Sequence, residues 1–220
     1  MGLVLRSGIS FCDAGGRLLF LDVVADRYFC LADATERAFR SMTDGRDRPD
    51  RDALAGLLRS GMLIETADAT MPTPFRAVCA PMASLLDAPL PRCGVLPRAA
   101  ALSTLAMTRL SLRRSTLHAV LQRLTEAKTA SSKAEVSAPN AIEEVAAAFA
   151  WTACIVRSHD QCLSRSIAVA RRLAALGLAG DLFIGVRLRP FAAHSWVQAD
   201  GRLVNDRIDT VRTYTPILAV

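Results

Sequence analysis

The sequence predicts an α+β protein, and three observations carry that expectation. Turn residues divide the first 31 positions into short apolar segments of strand length. Apolar residues then recur at helical spacing through most of residues 98–176. Strict alternation returns at 181–206. Helices gathered ahead of an antiparallel sheet, rather than interleaved with its strands, define α+β organisation. With 220 residues, 51% of them hydrophobic and 22% charged, the chain can build one large core or two small ones.

Leu3-Val4-Leu5 opens the chain, and Ile9 and Phe11 lead into Asp13-Ala14-Gly15-Gly16, a hairpin signal. The returning strand is expected over 17–24. After an Ala25-Asp26 turn, Arg27 to Leu31 reads as a short aromatic strand at a sheet edge, where unpaired backbone groups make either a hazard or a docking strip. Asp33 with Glu36 three residues on predicts a capping box for a helix carrying Ala34, Ala38, Phe39 and Met42. Pro49 is expected to start a second helix, with Ala53, Leu54, Leu57 and Leu58 on its apolar side and Gly61 at its end. Met62-Leu63-Ile64 adds a short strand. Residues 1–65 therefore read as a small winged-helix-like module.

Six of the ten prolines (72, 74, 81, 89, 91 and 97) fall in 66–97, which reads as a linker, although Phe75, Leu85 and Leu86 argue against full disorder. One long helix is predicted over 98–126, with Leu102, Leu105, Leu110, Leu117, Val120, Leu121 and Leu124 on its buried side. Residues 128–139 are small and polar, a loop. Asn140 and Glu143 predict a second capping box, for a helix whose Val145, Ala146, Phe149 and Ala150 are core. Asp160 or Ser158 is expected to cap the next helix, 161–176, which ends before Gly177. Strands at 181–189, 193–198 and 202–206 complete a second domain spanning 98–220.

Several function classes are disfavoured. The net charge of +6 comes without a Lys/Arg block, so it reads as solvated basic faces, or as a surface suited to an acidic peptide, before it reads as a nucleic-acid site. The six cysteines (12, 30, 79, 93, 154 and 162) include no C-x-x-C, and there are three histidines, so neither a metal site nor a disulfide framework is expected. No nucleotide-binding loop of the G-x-x-x-x-G-K-[ST] or G-x-G-x-x-G type occurs, and no cofactor is expected. The start lacks a secretory pattern, Arg6 breaks the myristoylation pattern, and no apolar run reaches the ~18 residues of a membrane span. A reducing cytoplasm is the expected compartment, and it would keep a thiol reduced.

Three residues suit thiol chemistry. Cys162 falls in the first turn of a predicted helix, where the dipole and free N–H groups favour a thiolate and could hold an oxyanion. His194 opens a strand and can act as base, with Trp196 on its face. Asp206 closes the next strand and can orient the imidazole. Other members of these types are blander: Cys154 lies in an apolar helix, His118 sits among Leu117 and Val120, and His159 is placed to cap or face solvent. The orienter depends on the turn. A two-residue loop Asp200-Gly201 sets Trp196 opposite Asn205 and sends Asp206 away from His194. A three-residue loop Ala199-Asp200-Gly201 sets His194 opposite Asp206. Spacing alone leaves Asn205 and Asp206 as rivals.

In these residues the chain resembles the lasso peptide biosynthesis B proteins, leader peptidases with a transglutaminase-like, papain-related domain. The resemblance lies in Cys162-Leu163-Ser164-Arg165-Ser166, Phe183-Ile184-Gly185-Val186, Pro190 to Val197, and Gly201 to Asp206, within roughly residues 100–220. It implies nucleophile, base and orienter at Cys162, His194 and Asp206, and thereby the three-residue loop. The first 65 residues are similar to the family's leader-recognition element through Asp26 to Leu31 and Ala53 to Ile64, with one helix fewer. By that analogy the leader adds a strand at Tyr28, Phe29, Cys30 and Leu31 and packs on Leu54, Leu57 and Leu58. The implied reaction frees the core N-terminus of a precursor peptide for ring closure by a separate ATP-dependent, asparagine-synthetase-like cyclase.

Rival readings are a non-catalytic peptide-recruiting protein, an acyl-transfer enzyme on the same fold, and DNA binding through the first module. The last is weakened by Asp50 and Asp52 beside Arg51 on the second helix.

Overall fold

The computed structural model describes residues 2–45, 49–68, 70–77, 80–131, 140–155 and 161–220. The chain divides into two compact units that meet in sequence at Arg76 and Ala77.

In the first unit, β1 (Gly2–Leu5) pairs antiparallel with β5 (Leu63–Thr66), and β2 (Ile9–Ala14), β3 (Arg17–Asp22) and β4 (Arg27–Cys30) form a meander in that order. Gly15 and Gly16 both take positive φ in the two-residue turn that sets Ala14 opposite Arg17, which is why the glycine pair signals a hairpin. The second strand stops at Asp22 rather than at 24, because the Asp22 carboxylate accepts the N–H groups of Val24 and Ala25 and folds the chain into a turn. Helix α1 (Asp33–Thr43) starts after Ala32, with Asp33 already inside it and no side-chain cap. The predicted capping box does not form. Glu36 instead turns inward, where it accepts the Leu18 N–H and the guanidinium groups of Arg17 and Arg40. Helix α2 (Arg51–Arg59) is capped by Asp50, whose carboxylate accepts the Ala53 N–H at 3.1 Å. The core is aromatic: Phe11 stacks on Phe20, and Phe39 meets both edge-on.

The second unit carries a five-stranded sheet in the order β10 (Thr215–Ala219), β7 (Asp181–Leu188), β8 (Phe191–Ala199), β9 (Arg202–Leu203), β6 (Ala83–Ser84). All ladders are antiparallel except β6 with β9. β6 and the 3-10 turn Leu85–Asp87 come from the segment read as linker, so that stretch contributes a strand to this sheet. The long helix predicted over 98–126 is two helices, α3 (Val95–Arg114) and α4 (Leu117–Ser131). Ser115 is extended and the Thr116 hydroxyl accepts the Ala119 N–H, restarting the helix while the leucine spacing runs on. α5 (Ala141–Ile155) follows Asn140, whose φ is 70°, and its Glu143 carboxylate takes Arg202 of the β8–β9 hairpin. α6 (Cys162–Ala175) packs on β8, α3, α4 and α5, with Ile167, Ala168, Val169, Leu173 and Ala174 buried. A short α7 (Ile208–Val211) precedes β10. Among the described residues no helix is long and apolar enough to cross a membrane.

Candidate active site

Cys162 is the first residue of α6, with Gln161 at the cap position and no side chain capping the helix. Its sulfur therefore sits where backbone N–H groups are unpaired. The residues expected to cap it, Ser158 and Asp160, and His159 with them, lie outside the described residues. His194 stands on β8 opposite Gly185 of β7.

The turn between β8 and β9 is the two-residue one. Asp200 and Gly201 have φ of 50° and 71°, and Ala199 pairs with Arg202. The three-residue loop is not formed, yet His194 Nε2 contacts Asp206 Oδ2. The ladder reconciles the two facts by ending early. Val204 donates to Val197 O at 2.9 Å, but the Val197 N–H is taken at 2.8 Å by the Asn205 side-chain oxygen. With a carboxamide standing in for a backbone carbonyl, the chain bends through 204–206 and carries Asp206 round to His194. Asn205 is thereby committed elsewhere. Its amide donates to Ser166 Oγ at 2.9 Å, and Ser166 Oγ donates to Ser195 O at 2.8 Å.

Asp206 is held at three points. Oδ2 meets His194, Oδ1 accepts the Arg207 N–H at 2.7 Å, and its carbonyl accepts the Ser84 hydroxyl at 2.6 Å. The side chains of His194 and Asp206 are 18% and 16% exposed, so their attraction is only partly screened. Burial works against the charged imidazole, but Asp206 and the Cys162 sulfur outweigh it and raise His194 to about 9. Burial also works against a thiolate, and His194 with Ser195 more than offsets it, so the Cys162 pKa falls below its usual value. Thiolate and imidazolium stabilise each other as a pair. With Nε2 turned to Asp206, Nδ1 is the ring nitrogen left for the sulfur.

Aromatic rings wall the imidazole. Tyr214 lies at 5.1 Å between centroids and Trp196 at 6.4 Å, with Trp196 stacked on Phe183. A Cβ at position 185 would stand 2.6 Å from Trp196 Cη2, so a glycine opposite His194 makes room for the indole. Ser84, Ser166, Gly185 and Tyr214 escaped the sequence reading. Ser166 had the clearest signal, one helical turn after Cys162 inside the quoted motif.

The residues expected to hold a leader are placed unequally. Among the described residues β4 pairs with β3 alone, at an edge of the meander, and brings Tyr28, Phe29 and Cys30 to that edge. Leu31, Leu54 and Leu57 are 7%, 0% and 8% exposed, members of the core cluster and not open surface. The helical spacing of Leu54 and Leu57 marks the side of α2 that packs into the core. Leu58 is partly buried beside them. The same unit holds a cavity of about 700 Å³ where the segment 72–76 returns along β2, with Phe75 N–H on Phe11 O at 2.7 Å. Among the described residues no group of three or more His, Cys, Asp or Glu is arranged to hold a metal ion.

A sequence model of the transglutaminase-like superfamily matches residues 99–219, more than half of the chain and the whole of this site from Cys162 to Asp206. The chain belongs to the transglutaminase-like superfamily. It is also similar to the microcin J25-processing protein McjB of Escherichia coli, 44% identical over 47 residues, which are 21% of this chain. That stretch spans 23% of the length of McjB. Together the two matches support the resemblance to lasso peptide B proteins. No solved structure matches the chain. Within the superfamily, thiol protease or acyl-transfer chemistry is the general expectation for such a fold.

Proposed function

We propose that this protein is a cysteine peptidase that removes the leader from a lasso precursor peptide. The observation that carries the proposal is the contact between His194 and Asp206 with the Cys162 thiol lowered beside them at a helix N-terminus. In the proposed cycle the Cys162 thiolate attacks the carbonyl of the scissile bond, and N–H groups at the start of α6 offer donors to the oxyanion. His194 gives its proton to the leaving amine, and Asp206 holds the ring and its charge. The acyl-enzyme then takes up water, with His194 as base, and releases the leader carboxylate. The freed amine is the N-terminus a partner cyclase would join to an Asp or Glu side chain, using its own ATP.

The N-terminal unit, read as a leader-recognition module, would take the leader as an added strand on β4, with Tyr28, Phe29 and Cys30 along the edge. Leu31, Leu54 and Leu57, buried in the core, would act only by supporting that edge from within. The test is to incubate the protein with linear lasso precursor peptides and weigh the products. Two fragments summing to the precursor plus one water support hydrolysis, and their loss in Cys162→Ala assigns the nucleophile. A conjugate in place of a free leader carboxylate would turn the reading to acyl transfer. Cleavage undiminished in Cys162→Ala would overturn it.

A further inference from the structure

One hydroxyl ties the helix that starts at Cys162 to the two segments that carry His194 and Asp206. Ser166 follows Cys162 by four residues on α6, so the two share a helix face. Ser166 is 0% exposed and precedes the buried apolar run Ile167 to Ala170, where an alanine would suit the helix better. Thr104, Thr125, Thr129 and Thr152 show the ordinary course of a helical hydroxyl, each donating to a carbonyl three or four residues back. Ser166 Oγ instead donates across to Ser195 O on β8, at 2.8 Å. A hydroxyl has one hydrogen, so that bond replaces the local one.

The bonds around it run one way and return to the strand they left. The Val197 N–H of β8 donates to Asn205 Oδ1 at 2.8 Å, the Asn205 amide donates to Ser166 Oγ at 2.9 Å, and Ser166 donates back to β8 at Ser195. Such a chain, with each donor and acceptor used in a consistent sense, strengthens its own members. Ser195 directly follows His194, and Asn205 directly precedes Asp206. His194 therefore adjoins one partner of the Ser166 oxygen, Asp206 adjoins the other, and Cys162 lies one helical turn away. Ser195 is 2% exposed, so bulk water does not reach its side of the bond.

We propose that Ser166 is a positioning residue, whose hydroxyl sets α6 and the Cys162 sulfur at working distance from His194 and Asp206. Its consequence for cleavage rests on the peptidase reading; its hold on the sulfur does not. Misplacing a reacting group by about 1 Å can cost on the order of 10² in rate, and truncating Ser166 releases both ties at once.

The experiment has a readout that needs no substrate, the pH dependence of iodoacetamide labelling at Cys162 in the folded protein, followed by peptide mapping. In Ser166→Ala that profile is expected to move to higher pH, with labelling at neutral pH about fivefold slower, as the sulfur loses the imidazole that lowers it. On a lasso precursor peptide kcat should fall about 10–100-fold, with KM within about twofold. Adding Asn205→Ala to Ser166→Ala should cost less than about threefold more, because the two side chains share one circuit. Thr152→Val removes another fully buried hydroxyl bond of the same unit and should lower the melting temperature while leaving both readouts in place. Ser166→Cys keeps the shape with a weaker donor and should fall between wild type and alanine. Trypsin cuts after Arg165, so label on the introduced thiol is read apart from Cys162, and this variant carries the comparison if Ser166→Ala does not fold. A folded Ser166→Ala with the wild-type labelling profile overturns the role, as does a Thr152→Val that moves the profile equally. If the wild-type protein cleaves no lasso precursor while Ser166→Ala still shifts the labelling, the hold on the sulfur stands and the peptidase reading falls.

Discussion

Cys12 is buried and Cys162 half-buried, and their thiols move in opposite directions. Cys12 on β2 is 1% exposed, and burial, with the charges of Asp13 and Cys30 behind it, pushes it up to about 12. Cys162 also meets a burial penalty, but the imidazole of His194 and hydrogen bonding from Ser195 carry it below its usual value. Desolvation penalises the thiolate in both places, and the partner decides the sign. Thiol reactivity in this chain thus depends on where an imidazole stands.

The comparison breaks most sharply at the nucleophile. On the proposed role, Cys162→Ala is expected to lower kcat/KM for leader cleavage by on the order of 10⁴ or more. Before any mutation, iodoacetamide at neutral pH should label Cys162 well ahead of Cys12, read by peptide mapping of the folded protein. Equal labelling of the two would mean that His194 does not act on the sulfur.

The next effect concerns the partner. Below the lowered thiol value the sulfur is protonated and cannot attack. On the proposed role, above about 9 His194 loses its proton and can no longer protonate the leaving amine. The kcat/KM profile should therefore rise with the thiolate and fall near pH 9. Asp206→Asn removes the charge that raises His194 and leaves at most a neutral acceptor for its ring, so the alkaline limb should move to lower pH. The same change is expected to cost roughly 10²–10⁴ in kcat/KM. Asn205→Ala separates the two rival orienters. It leaves the Val197 N–H without its partner and the Ser166 hydroxyl with Ser195 O only, a loss of about 1–3 kcal/mol in stability and roughly tenfold in rate through a looser bend. The alkaline limb should stay in place. A limb that moved with Asn205 instead would return the orienting role to that residue.

This pair of residues also marks the limit of what the sequence makes legible. Local signals held where the cause was local: paired glycines made the β2–β3 turn, Asp200-Gly201 took a hairpin turn, and alternation placed β7 and β8. The side chains proposed for chemistry could be singled out because a cysteine at a helix start and a histidine on a strand are features of a few residues. The register was different. Two turn lengths were open, and Asp206 was expected to reach His194 only through the longer one. The shorter one forms, and contact survives because a carboxamide replaces a backbone acceptor, an event without a periodic signature. Ser84 lies 122 residues from Asp206 within a proline-rich stretch, so no local pattern could tie them. Glu36 matched a capping pattern and was drawn instead into a buried cluster with Arg17 and Arg40, where tertiary donors outnumbered the local one.

The smallest effect belongs to the other cysteine. Cys12→Ala removes one buried sulfur from β2 and no hydrogen bond to an imidazole, so its cost should be that of a small cavity, about 1 kcal/mol. In a thermal melt this is a shift of a few degrees, provided the chain unfolds in one step. Cleavage of the precursor and both limbs of the pH profile should match the unmodified protein, because the groups that shift Cys162 and His194 are one another, Ser195 and Asp206. Cys12→Ser sharpens the point. A hydroxyl of nearly the same size leaves less of a cavity but buries a polar group, so it should destabilise more than alanine does unless the hydroxyl finds an acceptor. If serine proved milder than alanine, Cys12 would be sitting among polar partners. The contrast between an inert and an activated thiol would then rest on the histidine alone.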